Sequence, residues 1–245
     1  MNRFTLQAAL LVLAVFANVV FAQKDAPRGA PVDVAQYTET IRVACVGDSI
    51  TAGVGVKNGK LDPYPTQLDN MLGEKWTVKN FGVSGSTMLN KGDKPYQKEK
   101  AFKAALESKP DVVIIMLGTN DTKPQNWKFQ EEFAADAKSL ISQFAELPTK
   151  PRIFIALPVP APGAGNFGIN DAGVKAEQPL ITAVAKETGA TVIDLYSPLV
   201  EKPEHFPDRV HPNTAGASVM AATVYQALTG KAFVGDVPPS AKAAK

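Results

Sequence analysis

The feature that most constrains this chain is an alternation of two hydrophobic periods. Five short apolar runs, at 41–46, 76–81, 111–117, 152–157 and 191–195, are separated by stretches with helical spacing. Several runs are near-continuous in Val, Ile and Leu instead of alternating with polar residues. That marks strands covered on both faces, as in a parallel sheet. Between them Phe133, Ala137, Leu140, Ile141 and Phe144 fall on one helical face. Ala217, Met220, Ala221, Val224 and Leu228 repeat the pattern, and Phe102, Ala105 and Leu106 form a shorter stripe. Pro179 reads as the start or kink of a helix carrying Ile181, Val184 and Ala185, which Gly189 ends. All these stripes read as core faces. Strands alternating with helices imply right-handed βαβ crossovers. The expected fold is α/β: a three-layer α/β/α sandwich around a five-stranded parallel, flavodoxin-like sheet.

The 245 residues, 45% hydrophobic and 20% charged, suit one domain with a sizeable core, which we place at 41–230. Residues 1–22 read as a signal peptide: Arg3 is the charged start, 6–15 the apolar stretch, and Val20-Phe21-Ala22 the cleavage site. The competing reading is a retained N-terminal anchor. Polar, Pro-containing 23–40 reads as a linker and 231–245 as a flexible tail. A secreted or periplasmic location with no stable membrane anchor after cleavage is the expectation. Cys45 is the single cysteine, which excludes an intramolecular disulfide, and its apolar run suits a buried hydrophobe. Net charge is +2, with lysines scattered among acids, so nothing points to nucleic acid.

Ligands of such sheets bind beyond the carboxyl ends of the strands. Ser49, the 84–86 turn, Asn120 and residues 158–160 all fall just past strand ends and should converge on one edge, with the Gly- and Pro-rich 158–167 loop as a flexible rim. Taken alone, Ser49 reads at least as well as a helix cap or turn residue. Its partners reverse that. Only two histidines exist. His211 follows Asp208 by three residues, so the carboxylate can fold back within one turn and accept a ring N–H, leaving the other nitrogen as a base. His205, between Glu204 and Phe206, reads as structural or surface. Asn120 directly follows a buried strand, where its amide can donate to a developing oxyanion; its alternative is an Asx-turn. Gly82 and Gly85 would let backbone N–H groups approach a substrate or serve only turn geometry. Nucleophile, base, orienting acid and amide donor are together the requirements of acyl transfer. Gly53-Val54-Gly55 lacks the third glycine or Gly-Lys-Ser/Thr of a nucleotide loop, which weighs against a flavodoxin-like cofactor binder. No metal or organic cofactor is expected, since no ligand spacing is present.

Gly47-Asp48-Ser49, with Ile50-Thr51, then 80–86, Gly118-Thr119-Asn120-Asp121 and Asp208 to His211 resemble the four sequence blocks of the SGNH (GDSL-type) hydrolases. The resemblance spans 41 to about 228. It implies Ser49 as nucleophile, His211 as base and Asp208 as its orienter. It also implies an oxyanion hole from the Ser49 and Gly85 N–H groups and the Asn120 amide. The segments 206–208, 123–127 and 92–96 are similar to the sialate O-acetylesterase-like, carbohydrate acetylesterase branch. The expected function is therefore an exported serine esterase acting on small acyl, chiefly O-acetyl, esters of carbohydrates. The competing readings are a lysophospholipase or thioesterase of the same superfamily, or a non-catalytic carbohydrate-binding protein.

Overall fold

The computed structural model describes residues 30–235. The segment read as a signal peptide and most of the expected tail lie outside the described residues. Five parallel strands, β1 (Ile41–Gly47), β2 (Trp76–Gly82), β3 (Val112–Met116), β4 (Arg152–Leu157) and β5 (Thr191–Asp194), form one sheet in the order β2-β1-β3-β4-β5. This is the flavodoxin-like order, whose switch point lies between β1 and β3. The expected α/β/α sandwich is present, with helices α1 (Ser49–Ala52), α2 (Tyr64–Leu72), α3 (Lys100–Glu107), α4 (Pro124–Trp127), α5 (Phe133–Ala145), α6 (Asp171–Thr188) and α7 (Thr214–Thr229) in chain order.

Both faces of the central strands β1 and β3 are buried, which explains their near-continuous apolar runs. Val112, Ile114 and Met116 point into one core, together with Val43, Cys45 and Phe154; α2 (Tyr64–Leu72) and α7 (Thr214–Thr229) cover it. Val113, Ile115 and Leu117 point into the other, with Val46 and Ile155, beneath α3 (Lys100–Glu107), α5 (Phe133–Ala145) and α6 (Asp171–Thr188). Successive residues of a strand face opposite sides, so a strand sandwiched between helices needs apolar residues at nearly every position. Cys45 is fully buried, and that burial pushes its thiol up to about 12, so it is an inert core residue.

Two elements differ from the sequence-based expectation. Pro179 does not start α6. The helix begins at Asp171, where the Asn170 side chain accepts the Gly173 N–H at 2.9 Å, and runs through the proline to Gly189. Pro179 cannot donate to the Lys175 carbonyl, but it sits on the exposed side of α6. The segment expected as a linker is packed where it is described. Val32 is buried and its N–H donates to the Leu228 carbonyl at 2.7 Å, while Lys75 Nζ holds the carbonyls of Tyr37 and Thr38. Among the described residues no helix is long and apolar enough to cross a membrane.

Candidate active site

The site grows from the carboxyl ends of β1, β2 and β3. Gly47 ends β1 between Gly82 of β2 and Met116 of β3. A Cβ there would run into Thr51 Oγ1 and come within 2.8 Å of the Met116 carbonyl. Glycine therefore lets the chain turn at once into the one-turn helix α1 (Ser49–Ala52). Asp48 caps that turn by accepting the Ile50 N–H at 2.9 Å. Ser49 is its first residue and stays 8% exposed.

The last block arrives from the far end of the chain. Asp208 Oδ1 accepts the backbone N–H groups of Val210 at 3.0 Å and His211 at 2.7 Å. These bonds hold a tight turn with Arg209 in the left-handed region, φ +68°. Asp208 Oδ2 lies 2.6 Å from His211 Nδ1, and His211 Nε2 lies 2.9 Å from Ser49 Oγ. Partial burial works against the Asp208 charge. The His211 amide and ring and the Val210 amide outweigh it, holding the carboxyl below its ordinary value. With Asp208 ionised, Nδ1 carries the ring proton and Nε2 accepts from the serine. The structure thus brings Ser49, His211 and Asp208 into one relay. His205 stays out of it, at the end of the 3-10 turn Pro203–His205, where its carbonyl accepts the Asn213 N–H at 2.7 Å.

Asn120 joins the first three blocks. Its Nδ2 donates to the Ser86 carbonyl at 3.1 Å and more weakly to Asp48 Oδ2 at 3.4 Å, and its own carbonyl accepts from Asn126 Nδ2 at 2.9 Å. Asn126 Nδ2 also reaches Asp93 Oδ1 at 3.0 Å, so the 92–96 and 123–127 segments brace each other. Gly85 immediately precedes the carbonyl that Asn120 holds. The N–H groups of Ser49 and Gly85 take no hydrogen-bond partner among the described residues. Asn120 itself is 4% exposed.

Beneath this surface lies an acidic interior that sequence reasoning missed. Asp48, Asp121 and Glu177 are all fully buried. Asp121 accepts the N–H groups of Met88 at 2.9 Å and Leu89 at 2.8 Å, tying the 86–90 segment to the 118–121 turn. Burial pushes Asp48 up to about 6 and Asp121 up to about 7, the latter despite its two amide donors. Glu177 of α6 faces Gly118, where φ is +129° and a Cβ would meet its Oε2 at 2.5 Å. Both Glu177 oxygens lack a hydrogen-bond partner among the described residues. Burial, with Asp121 and Asp48 adding to it, raises this carboxyl well above its ordinary range. Glu177 had a legible signal, since Val174, Glu177, Ile181 and Val184 share one helical face.

A raised carboxyl favours the folded state at low pH and loses that contribution as pH climbs past the unfolded value, ~4.3 for Glu. Glu177→Gln keeps the shape and removes the proton. Its melting temperature is expected to match wild type near pH 4 and to exceed it at pH 8. Parallel thermal melts across that range check this; a variant less stable at pH 8 would contradict it.

A separate cavity of about 360 Å³ lies between Pro160, Pro162 and Gly163 on one side and Val200, Glu201 and Pro203 on the other. None of Ser49, Asp208 and His211 lines it, so the relay opens elsewhere. The loop expected as a flexible rim is anchored at its start, where Val159 and Ala161 are buried. Among the described residues no group of three or more His, Cys, Asp or Glu is arranged to hold a metal.

The fold is shared with solved esterases. A carbohydrate acetylesterase from Sinorhizobium meliloti, Est24, superposes with a TM-score of 0.60 at 22% identity, covering 76% of this chain and 97% of that one. A catalytic mutant of Axe2, an acetylxylan esterase from Geobacillus stearothermophilus, gives a TM-score of 0.62 at 21% identity, covering 80% and 97%. At these identities the likeness is one of fold. The chain belongs to the GDSL-like lipase/acylhydrolase family, whose model matches residues 45–219. It is also 41% identical over 209 residues to an acetylxylan esterase of Xylanibacter ruminicola; the match takes in 78% of this chain but 43% of that protein.

Proposed function

We propose that this chain is a serine esterase that removes small acyl groups, acetyl above all, from a carbohydrate. The observation that carries the proposal is the continuous relay from Ser49 Oγ through His211 to Asp208. His211 Nε2 takes the Ser49 proton as Oγ attacks the ester carbonyl, and the carbonyl oxygen becomes an oxyanion. The Ser49 and Gly85 N–H groups and the Asn120 amide stabilise that charge. His211 then returns the proton to the leaving alcohol oxygen, and water repeats the sequence on the acyl-enzyme. Asp208 holds the ring in the tautomer that both steps need. The carbohydrate part is supported by the 41% identical acetylxylan esterase and by the carbohydrate esterases that share the fold. A purely carbohydrate-binding role leaves the aligned Ser49, His211 and Asp208 without a purpose.

Acetate release from a panel of acetylated xylans, mannans and sialosides, beside short- and long-chain alkyl esters, tests the reading. Hydrolysis confined to long-chain lipid esters or to thioesters would replace it with the lysophospholipase or thioesterase alternative. Export is part of the proposal, on the strength of Arg3, the apolar 6–15 stretch and Val20-Phe21-Ala22. Protein recovered outside the cytoplasm should begin at Gln23; an intact Met1 would refute cleavage.

Asn120→Ala is expected to lower kcat roughly 10^2–10^3-fold with little change in KM, as for loss of one oxyanion donor. It should also lower the melting temperature, because the buried Ser86 carbonyl loses the donor that the Asn120 side chain gives it, whereas Asn126 keeps the backbone carbonyl of residue 120. Steady-state kinetics with melts separate the two effects; a change in KM alone would leave Asn120 only positioning the ground-state ester.

A further inference from the structure

Phe167 is poorly explained by folding alone. The residue is 57% exposed, and its backbone sits in the left-handed region at φ +54°. A single exposed apolar residue is ordinary. A bulky residue at positive φ is not: it is strained and persists only where its surroundings dictate it. Here they do. Asn166 Oδ1 accepts the Phe167 N–H at 2.8 Å, and Asn166 Nδ2 donates to the Asp208 carbonyl at 3.1 Å. Asn166 and Ile169 exchange backbone hydrogen bonds at 3.0 and 2.8 Å, closing the turn. Ile169 in turn packs in one apolar cluster with Val210, the residue before His211. The turn carrying Phe167 is therefore fixed to the turn carrying the base. The outcome is a phenyl ring 5.8 Å from the His211 ring, centroid to centroid, at 53°.

The chemistry says which part of the ester meets that ring. The leaving oxygen collects its proton from His211 Nε2, so the alcohol lies on the histidine side of the reacting carbon. The carbonyl oxygen turns the other way, to the Asn120 amide and the free N–H groups. A ring placed beside the imidazole therefore borders the alcohol. An exposed aromatic face is electron-rich, and the C–H face of a pyranose presents weakly positive hydrogens to such a face. We propose that Phe167 is the stacking platform for the sugar of the leaving alcohol, and so a specificity-determining residue of this site. The inference rests on the esterase reading above.

The test compares kcat/KM for methyl β-D-xylopyranoside triacetate with that for ethyl acetate, which has the same acyl group but no ring. Phe167→Ala is expected to lower the sugar-to-ethyl ratio about 5–10-fold, chiefly through KM on the sugar ester, and Phe167→Trp to restore it. An unchanged ratio with wild-type activity on both esters overturns the role of Phe167 and leaves the esterase reading standing. Equal losses on both substrates overturn it too, since the ring would then act on His211 itself. A changed preference between ethyl acetate and ethyl butyrate would place the ring against the acyl group and likewise overturn it. Wild-type protein that cleaves ethyl acetate but not the sugar ester overturns the carbohydrate reading together with this one.

Discussion

Ser49→Ala is expected to lower ester turnover by on the order of 10^4-fold or more while the protein stays folded. The side-chain contact of Ser49 Oγ is His211 Nε2, and the base itself remains anchored by Asp208 at its other nitrogen. Removing one hydroxyl at the mouth of the site costs about 1 kcal/mol, or ~2–4 °C in melting temperature. Acetate release and a thermal melt on the same preparation check both halves. A fluorophosphonate probe should label wild-type Ser49 and leave the variant unlabelled. Near-wild-type turnover in a purified, folded Ser49→Ala protein would sink the mechanism.

Asp208→Asn is expected to cut kcat by a comparable ~10^4-fold, for a reason the geometry makes specific. Asp208 uses its two oxygens differently: Oδ1 holds the Val210 and His211 amides, and Oδ2 faces the ring at Nδ1. An asparagine that keeps its carbonyl on the two amides must turn its NH2 to the ring. Nδ1 then becomes an acceptor, Nε2 carries the proton, and the Ser49 hydroxyl loses its base. Asp208→Ala removes the Oδ1 bonds as well, so it should also lower the melting temperature, whereas Asp208→Asn should do so much less. Because the lost charge also favoured the folded state, stability of the wild type falls as pH drops through the lowered Asp208 value. Asp208→Asn should flatten that acid limb. Single losses at Asp208 and His211 should not add, since both act through one imidazole. Activity in Asp208→Asn within tenfold of wild type would mean that the tautomer is fixed by something else.

Much of the architecture was legible because the central strands β1 and β3 are buried on both sides. The runs at 41–46 and 111–117 carry apolar residues for two separate cores, the pattern of a strand covered on both faces. The Asp208–His211 pair was legible because their spacing is local. Other features were hidden for physical reasons. The first half of α6 presents Val174 and Glu177 to the interior, and the charge breaks the apolar stripe that would have announced it. Pro179 then looked like a boundary, although its exposure makes it tolerable within the helix. The packing of Val32 against α7 depends on a long-range contact that no local pattern encodes. Asn120 was legible as an amide donor, but its bond to Ser86 was not, because it joins turns that meet only after β2 and β3 take their places beside β1. Phe167 carries no sequence signal at all: its left-handed backbone is imposed by Asn166 and by the neighbouring turn.

The nucleophile and its base are 162 residues apart in sequence, one in the first strand-to-helix turn and the other just before the final helix. A polypeptide emerging in order displays its serine long before anything can activate it. The hydroxyl gains a proton acceptor only when α7 docks and carries the 208–211 turn to the sheet edge. On the esterase reading, competence thus waits on complete folding: partly folded chains, and chains cut short before Asp208, hold the serine without its base.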